Sequence, residues 1–375
     1  MTNQLDVAIV GGGIVGLAQA WMASRQGAQV GLFERSSVAQ GATVRNFGMI
    51  WPIGQPAGEL YDVALKSRQF WLELNSAGAL EVEQCGSIHL AHHEDELQVL
   101  DEFISKGTHE AELISAEEVC QRSKLANPQG LLGGMYSESE LRVNPRVAAN
   151  QIRLWLESQC HIDMHFNTQI TSIEGHELQS SEGDSWHADK IIVCSGSDLQ
   201  TLYHEEFDQS GLVLCKLQML KTTAQSGSRE SVVPHIASGL TLRHYSSFLD
   251  CPSLELVKER VSAESPLLDK YGIHVMASQF PSGEVILGDS HEYGADISPF
   301  DKAEIDALML DELRKVIQLD DWSIRERWHG IYSKHKQLPI YEKQVNDAVS
   351  LFVGTGGAGM TMSFGLADRY WEQNS

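Results

Sequence analysis

The 375-residue sequence predicts an α/β protein (α+β overall) in which two sheet-based domains are interleaved. Residues 6–34 have the pattern of a strand, a glycine turn, a helix and a second strand. Residues 212–287 contain longer alternating strands, and the chain returns to a strand, glycine turn and helix after residue 349. Buried parallel strands are nearly all apolar, whereas half-exposed antiparallel strands alternate. We therefore expect a Rossmann-like nucleotide domain and a second domain on a largely antiparallel sheet.

The N-terminal segment predicts one βαβ unit. A nearly all-apolar strand covers residues 6–10, a helix covers 17–26 and ends at Gly27, and a strand follows over 29–34. Farther along, the pattern predicts helices over residues 59–74, 92–104 and 147–158, and strands over 162–166, 170–173 and 190–194.

The second half of the chain has a different pattern of apolar residues. Alternating apolar residues predict strands over 212–220, 240–249, 273–278 and 285–287. Apolar residues at helical spacing predict an amphipathic helix over 300–317. No long linker separates these parts, so we expect domains assembled from discontinuous segments.

Charge and cysteine content exclude several classes of partner. The chain carries 51 acidic and 28 basic residues, a net charge of −23, so its field repels nucleic acid and anionic membranes. Six cysteines are scattered without a Cys-x-x-Cys pair, which favours free thiols in a reducing, cytoplasmic compartment over disulfides or a metal site. The sequence shows no secretion signal and no apolar run long enough to span a bilayer. It carries no signal for an oligomeric state.

Residues 11–16 form a G-x-G-x-x-G motif after the first predicted strand. Gly11 permits a tight turn, Gly13 lets the backbone approach a pyrophosphate, and Gly16 lets the helix pack closely on the strand. Ile14 and Val15 open the helix, whose N-terminal N–H groups favour phosphate. Glu34 ends the second strand, where an acidic side chain accepts hydrogen bonds from ribose hydroxyls. This context predicts dinucleotide binding rather than an ordinary glycine turn.

Two features favour FAD over NAD. The segment RSSVAQGATVRNFGMIWP follows Glu34 directly, where an NAD-binding fold continues its regular βαβ pattern. Two later strands also run into glycine turns, at residues 193–196 and 352–357. An NAD(P) dehydrogenase is the alternative, which the absorption spectrum of the purified protein distinguishes.

The whole chain resembles the FAD-dependent amine and amino-acid oxidases, a family that includes D-amino-acid oxidase, glycine oxidase and sarcosine oxidase. The resemblance rests on the order and spacing of seven segments: DVAIVGGGIVGLAQAWMASRQGAQVGLFER, GATVRNFGMIW, VNPRVAANQI, NTQITSI, IIVCSGSDLQTL, GEVILGDSHEYG and LFVGTGGAGMTM. It implies an FAD-binding domain formed by residues 1–80, 140–205 and 325–375, and a substrate-binding domain formed by residues 81–139 and 206–324.

The resemblance also implies which residues contact FAD. Glu34 and Arg35 would lie at the ADP ribose, and Ile170 would meet the adenine through its backbone. The remaining expected contacts are with the pyrophosphate, the ADP moiety and the flavin: Gly11, Gly13, Ile14, Val15, Gly16, Thr43, Arg45, Asn46, Phe47, Gly48, Met49, Ser195, Gly196, Gly330, Gly356, Gly357, Ala358, Gly359, Met360 and Thr361. No cysteine lies in the flavin-facing glycine segments, and Val44 and Arg45 stand where some relatives attach flavin through His. We therefore expect non-covalent FAD.

The activity implied by the resemblance is oxidation of a carbon–nitrogen bond in a small primary or secondary amine that bears an anionic group. Hydride passes to flavin N5, the imine hydrolyses, and molecular oxygen reoxidises the flavin to give peroxide. Alternatives are an FAD dehydrogenase that uses another electron acceptor, a tRNA-modifying flavoenzyme, which the net charge disfavours, and a non-catalytic FAD-binding protein.

The sequence indicates the substrate-binding residues less clearly than the FAD-binding residues. Sarcosine oxidases place a Lys where this chain has Met360 and Thr361, and Tyr332 stands where glycine oxidases often carry an Arg. The candidates for orienting the substrate are Arg243, His244, Tyr245, Gln279, His291 and Tyr332. VRNFGMIWP and HGIY resemble a subgroup associated with phosphonate degradation, which implies an aminophosphonate or its N-methyl derivative as substrate. Several donors, such as Arg45, Arg243, His244 and Tyr332, would suit a phosphonate better than one Arg.

Overall fold

The computed structural model describes residues 3–226 and 232–374. Its strands are β1 (Asn3–Val10), β2 (Val30–Glu34), β3 (Met49–Ile50), β4 (Glu83–Gln84), β5 (Ser87–Ala91), β6 (Glu112–Ser115), β7 (Gly133–Ser137), β8 (Leu141–Arg142), β9 (Asp163–Phe166), β10 (Ile170–Glu174), β11 (Glu177–Ser180), β12 (Ser185–Val193), β13 (Leu212–Thr222), β14 (His235–Ala237), β15 (Met276–Gln279), β16 (Val285–Gly288), β17 (Glu292–Gly294), β18 (Ile324–His335), β19 (Tyr341–Gln344) and β20 (Val349–Val353). Its helices are α1 (Ile14–Arg25), α2 (Glu59–Ser76), α3 (Glu94–Ser105), α4 (Ala116–Arg122), α5 (Pro145–Gln159), α6 (His204–Asp208), α7 (Leu254–Glu264), α8 (Pro266–Lys270), α9 (Ala303–Val316) and α10 (Gly359–Gln373).

The first sheet has the strand order β10-β11-β12-β1-β2-β9, with β20 beside β12 and β19 beside β20. β1 pairs in parallel with both β12 and β2, and β20 pairs in parallel with β12. The burial of β1, β2 and β20 accounts for their apolar sequences, because helices cover parallel sheets. α1 packs against α10, and α10 against α2. This arrangement brings the first and last glycine turns to the same part of the molecule.

The second sheet has the order β17-β13-β16-β15-β14-β5-β7-β6, with β18 beside β13. β13 pairs antiparallel with β16, β17 and β18, and β14 pairs in parallel with β5. The sheet is therefore largely antiparallel, which confirms the predicted fold class. The domain boundaries stay a prediction; β18 lies in this second sheet although the prediction grouped residues 325–375 with the FAD domain.

A small third sheet, β3-β8-β4, joins the two larger ones. Arg142 on β8 is 1% exposed, and its Nη1 lies 3.0 Å from Oε2 of Glu83. Its Nε donates to Oγ of Ser278 on β15 at 3.2 Å, and its Nη2 donates to the Val233 carbonyl at 2.6 Å. A buried guanidinium needs such partners on all sides, so Arg142 fixes β8 against the second sheet.

The predicted strand over residues 240–249 is wrong. The segment forms 3₁₀ turns at Gly239–Arg243 and Ser246–Phe248. The Thr241 hydroxyl and the Thr241 amide both donate to the Ser238 carbonyl, at 2.6 and 3.0 Å, which closes a local turn in place of a sheet ladder. Leu240 and Leu242 are still buried, so their alternation reflects packing of the turn and not strand pairing.

Within the described residues, no helix has the combination of length and apolar character that crossing a bilayer requires.

Candidate active site

The first glycine turn can be built only with glycine. Gly11 has φ +114°, and a Cβ there would lie 2.2 Å from the Cys194 carbonyl oxygen. A Cβ on Gly16 would lie 1.9 Å from the Gly11 carbonyl oxygen. Real side chains do not approach backbone oxygens this closely, so β1, β12 and α1 meet in a contact that any side chain would prevent.

Glu34 at the end of β2 fixes the conformation of this turn. Its Oε2 accepts from the Gly12 amide at 2.8 Å, and its Oε1 accepts from the Ser36 amide at 2.9 Å. The Thr43 hydroxyl oxygen accepts from the Ile14 amide at 3.0 Å, at the first turn of α1. Glu34 and Thr43 thus hold the N-terminus of α1 from two sides.

The loop over residues 42–48 is held by Asn46. Its Nδ2 donates to the Ala42 and Thr43 carbonyls at 3.0 and 2.8 Å, and its Oδ1 accepts from the Gly48 amide at 2.7 Å. Gly48 has φ +74°, and its Cβ would lie 2.1 Å from the Val143 carbonyl oxygen. Asn46 therefore shapes the loop, a role that the sequence prediction did not include.

Arg45 connects this loop to β18. Its Nη1 donates to the His329 carbonyl at 3.3 Å, and its own carbonyl accepts from Nε1 of Trp328 at 3.2 Å. Gly330 makes this approach possible, because a Cβ there would lie 3.3 Å from the Arg45 carbonyl oxygen. Arg45 and Gly330, both predicted to be near the cofactor, are neighbours.

At the edge of the first sheet that carries the first glycine turn, Arg35 pairs with Asp198 at 2.6 Å. Ile170 opens β10 and is buried. Ser195 follows β12, and its hydroxyl is buried without a hydrogen-bond partner among the described residues. Gly196 accepts from the Ser333 hydroxyl at 2.8 Å. Arg35, Ser195 and Gly196 therefore lie where the parallel strands β2 and β12 end, beside the first glycine turn.

The last glycine turn precedes α10. Gly356 has φ +56°, and Ala358 stands at the N-terminus of the helix without a side-chain cap. The Thr361 hydroxyl accepts from the Trp51 amide at 2.9 Å, and the Met360 carbonyl accepts from Nε1 of Trp71 at 2.9 Å. Thr361 is buried, and its hydroxyl ties the start of α10 to the segment before Pro52.

Tyr332 on β18 lies opposite this turn. Its hydroxyl oxygen is 3.7 Å from the position of a Cβ on Gly357. Burial raises the pKa of Tyr332 well above its usual value, with Cys215 and Tyr293 adding to the effect. The phenol is therefore neutral and can donate a hydrogen bond. Tyr245 is partly buried, and its ring centroid lies 6.1 Å from those of Trp51 and His274.

Three histidines form a cluster on the same side of the second sheet. The ring centroid of His274 lies 4.1 Å from that of His244 and 4.9 Å from that of His291. The His291 and Tyr332 centroids are 6.5 Å apart. Burial lowers the pKa of all three imidazoles, that of His291 to about 4, so the cluster is neutral at pH 7.

His274 and Asp289 were missed by the sequence prediction. Nε2 of His274 lies 3.0 Å from Oδ1 of Asp289, and both residues are buried. Burial raises the pKa of the Asp289 carboxyl well above its usual value. The two residues are brought together by backbone hydrogen bonds in both directions, at 2.9 and 3.3 Å. The only sequence signal was the position of Asp289 beside His291 in GDSHEYG.

Two residues that were predicted to bind substrate are placed differently. Arg243 already has partners for its guanidinium, and Gln279 lies away from the histidine cluster. Arg243 forms an ion pair with Asp269, and its Nη2 donates to the Ile273 carbonyl at 3.3 Å. Gln279 lies at the opposite end of β15 from Met276, paired with Val285. The assignment of either residue to substrate stays a prediction, and the structure gives it less support than that of His244, His291, Tyr245 and Tyr332.

The comparisons with known proteins identify the family. A family model described as "FAD dependent oxidoreductase" matches residues 6–370. This chain belongs to that family. The resemblance seen in the sequence is thereby confirmed, and the protein is an FAD-dependent oxidoreductase.

Among curated relatives, a glycine oxidase of Geobacillus kaustophilus is 25% identical over 213 residues, which cover 52% of this chain and 56% of the relative. The bifunctional tRNA 5-methylaminomethyl-2-thiouridine biosynthesis protein MnmC of Shewanella pealeana is 26% identical over 262 residues, 66% of this chain and 38% of the relative. The matches therefore span between 38% and 56% of these relatives' lengths.

Solved structures agree on the fold. The glycine oxidase of Geobacillus kaustophilus has a TM-score of 0.78 at 17% identity, covering 100% of this chain and 96% of the other. The L-proline dehydrogenase of P. horikoshii has a TM-score of 0.77 at 16% identity, covering 100% of this chain and 94% of the other.

The residues present fit the cofactor that the family uses. The contacts of Gly11 and Gly16 leave no room for side chains beside the N-terminus of α1, and the positive end of a helix dipole favours a phosphate. The buried Ser195 hydroxyl lacks a partner among the described residues, at the end where the adenosine is expected. FAD is the cofactor of this enzyme.

Proposed function

We propose that this enzyme oxidises the C–N bond of a small primary or secondary amine bearing an anionic group. The observation that carries the proposal is the wall formed by buried Tyr332 and His274 and by partly buried Tyr245, His244 and His291. Tyr332 faces the last glycine turn at 3.7 Å from the Gly357 Cβ position. The names of the similar proteins, a glycine oxidase and an L-proline dehydrogenase, denote oxidation of small amino acids.

The wall would serve catalysis by excluding water and orienting the amine. When bound, FAD accepts the hydride from the carbon next to nitrogen. The neutral Tyr332 phenol can donate a hydrogen bond to the substrate, and Tyr245 and Trp51 form an apolar surface against which a small carbon chain can pack. Orientation of this kind accounts for much of the rate enhancement in reactions whose cofactor performs the chemistry.

The anionic group would be held by His244 and Tyr332. Arg243 is engaged by Asp269 and the N–H of His291 by the Gly272 carbonyl, whereas the His244 ring has no hydrogen bond among residues 3–226 and 232–374. The His244 N–H and the Tyr332 O–H can each donate one hydrogen bond to an oxyanion of a phosphonate or a carboxylate. Small aminophosphonates and their N-methyl derivatives are therefore included in the proposed substrate class.

The electron acceptor distinguishes the main proposal from its alternative. We propose molecular oxygen, with peroxide and the imine hydrolysis products released. The fold likeness to an L-proline dehydrogenase favours the alternative of another electron acceptor. The relative that modifies tRNA is a weaker guide, because a net charge of −23 repels RNA.

A substrate panel tests the proposal. FAD-loaded protein is mixed with glycine, sarcosine, D-alanine, aminophosphonates and N-methyl aminophosphonates, first anaerobically to measure flavin bleaching and then in air to measure peroxide. Bleaching with peroxide supports the oxidase, and bleaching without peroxide supports the dehydrogenase. If no amine bleaches the flavin, the proposed activity is wrong. If only the amino acids react, aminophosphonates leave the substrate class.

Three further expectations belong to this proposal. FAD is held without a covalent bond, so acid precipitation should leave the yellow colour in the supernatant. The six cysteines are free in the structure, which fits the proposed cytoplasmic compartment. Residues 1–80, 140–205 and 325–375 form the FAD-binding domain, with β18 contributing the strand that carries Tyr332 to the boundary.

A further inference from the structure

Glu140 is a buried carboxyl group that the proposed chemistry does not use. It lies between β7 and β8, where the second and third sheets meet, and it is 0% exposed. Burial raises the pKa of this carboxyl above its usual value. Burying a carboxyl costs free energy even when it is hydrogen-bonded, so a buried titratable group beside a candidate site calls for a role.

The hydrogen bonds of Glu140 hold a turn of the chain. Its Oε1 accepts from the Ile53 amide at 3.1 Å and from the Ser139 hydroxyl at 2.6 Å. Its Oε2 accepts from the hydroxyl of Ser87, the first residue of β5, at 2.9 Å. Ile53 is the central residue of the 3₁₀ turn Pro52–Gly54. The carboxyl therefore links this turn to the second sheet.

The turn packs directly against two aromatic rings of the candidate active site. A Cβ on Gly54 would lie 2.6 Å from Cδ1 of Tyr245 and 2.7 Å from Cδ1 of Trp51, so the bare backbone of the turn lies against both rings. Trp51 immediately precedes the turn, and its amide donates to the Thr361 hydroxyl at 2.9 Å. The position of the turn thus sets the positions of the Trp51 and Tyr245 rings.

We propose that Glu140 is a positioning residue for amine oxidation. Its carboxyl holds the turn through the Ile53 amide, and the turn places the Trp51 and Tyr245 rings against the carbon chain of the substrate. This role rests on the proposed function, in which those two rings form the apolar surface of the site. Glu140 itself does not touch the substrate. Misplacement of a reacting group by about 1 Å can lower a rate about 100-fold, so such an indirect contact has a measurable effect.

The alternative is that Glu140 only stabilises the junction of the sheets. Its main chain already joins them, because the Glu140 carbonyl accepts from the Gly86 amide at 3.0 Å. Loss of the side chain lowers stability in either case. Only the positioning role makes the turn looser and the reduction of flavin slower at the same time.

Three variants separate the two roles. Glu140→Leu removes both acceptor oxygens. Glu140→Gln keeps an oxygen that can accept from Ile53, and its amide nitrogen can donate to the Ser87 hydroxyl. The control is Gln19→Leu, which removes another buried acceptor, the Oε1 that Nε1 of Trp371 contacts at 2.8 Å between α1 and α10.

Hydrogen exchange of the FAD-loaded protein measures the turn without turnover. In a peptide covering residues 49–57, exchange should be faster in Glu140→Leu than in the wild-type protein and unchanged in Glu140→Gln and Gln19→Leu. If Glu140→Leu does not fold, Glu140→Asp replaces it in both measurements, because its shorter side chain withdraws the oxygens from Ile53.

Anaerobic stopped-flow reduction by the most reactive amine of the substrate panel measures the consequence for the reaction. The limiting rate of flavin reduction should fall about 10- to 100-fold in Glu140→Leu, because the substrate is less well oriented. It should change less than about threefold in Glu140→Gln, which keeps the hydrogen bond to Ile53, and in Gln19→Leu. The FAD content should be equal in all variants.

Each other outcome has a definite meaning. Unchanged exchange in Glu140→Leu shows that the carboxyl does not hold the turn, and it overturns the proposal. Faster exchange with a reduction rate equal to that of Gln19→Leu leaves Glu140 a structural residue, and equal slowing in Glu140→Leu and Glu140→Gln excludes the hydrogen bond to Ile53 as the cause. If no amine bleaches the wild-type flavin, the proposed function fails and this role fails with it. Bleaching of the wild-type flavin with no slowing in Glu140→Leu overturns this role alone.

Discussion

The first glycine turn and the histidine cluster differ in how the chain assembles them. The turn, with Gly11, Gly16 and Glu34, lies within one βαβ unit, so its parts are at most 23 positions apart in the sequence. The cluster combines a 3₁₀ segment and two strand ends over residues 244–291. A local unit has a recognisable sequence pattern, whereas a cluster formed by sheet pairing has none. Substitutions in each region should therefore change FAD binding, stability or KM to different extents.

The largest effect is expected at the turn. Replacing Gly16 by Ala places a methyl group 1.9 Å from the Gly11 carbonyl oxygen, so α1 must move away from β1. We expect loss of bound FAD and destabilisation by more than about 3 kcal/mol, beyond the usual cost of overpacking. Flavin content and thermal unfolding measure this. Gly41→Ala is the control, because a Cβ there meets nothing within 4 Å; equal behaviour of the two variants would contradict the prediction.

A smaller effect at the same turn is expected for Glu34→Gln. The amide cannot accept from both Gly12 and Ser36 as the carboxylate does at 2.8 and 2.9 Å. Loss of one hydrogen bond to a charged group costs about 1.5–3 kcal/mol, so FAD affinity should fall about 10- to 100-fold. Fluorescence titration of apoprotein with FAD measures the dissociation constant. An unchanged constant would show that the carboxylate does not contribute to the site.

The Arg243→Gln variant tests whether Arg243 binds substrate or only stabilises the fold. The Arg243 guanidinium is paired with Asp269 and donates to the Ile273 carbonyl, so its removal should destabilise the fold by about 1–3 kcal/mol. The KM for a reactive amine should change less than twofold. Chemical denaturation and steady-state kinetics measure the two quantities. A large rise in KM with normal stability would instead support the predicted role of Arg243 at the substrate.

The smallest effect at pH 7 concerns His89, which is fully buried between Trp51 and Phe248. Burial lowers its pKa to about 3, so below pH 6.5 the unfolded chain binds a proton that the folded chain does not. Stability from this group is therefore complete above pH 6.5 and is lost as the pH falls toward 3, by about 1.4 kcal/mol per pH unit.

His89→Leu should remove this contribution. The free energy of unfolding at pH 7 should change little, because neither ring nitrogen has a hydrogen-bond partner among the described residues. Its decline between pH 6.5 and 5 should be shallower than in the wild-type protein. Urea denaturation at several pH values measures the slope, and parallel slopes for the two proteins would refute the prediction.

Several elements of the fold could be predicted from the sequence because their patterns are local. Strand–turn–helix units are local, so β1, α1, β2, β20 and α10 were predicted together with the glycines between them. The strand predicted over residues 240–249 failed because Thr241 and Ser238 close a local turn that apolar alternation does not reveal. Arg243 was predicted to face substrate because its charge is visible in the sequence, while its partner Asp269 is visible only in the fold.

The sequence by itself determined the fold class, the family and the cofactor, because the strand–turn–helix units that indicate them are local patterns. Tertiary structure alone decided which polar groups meet in the candidate active site. Asp289 faces His274 because backbone hydrogen bonds join the ends of β15 and β16, and His291 is held by the Gly272 carbonyl. Such contacts depend on sheet register and turn geometry, which set distances between segments that the sequence pattern does not encode.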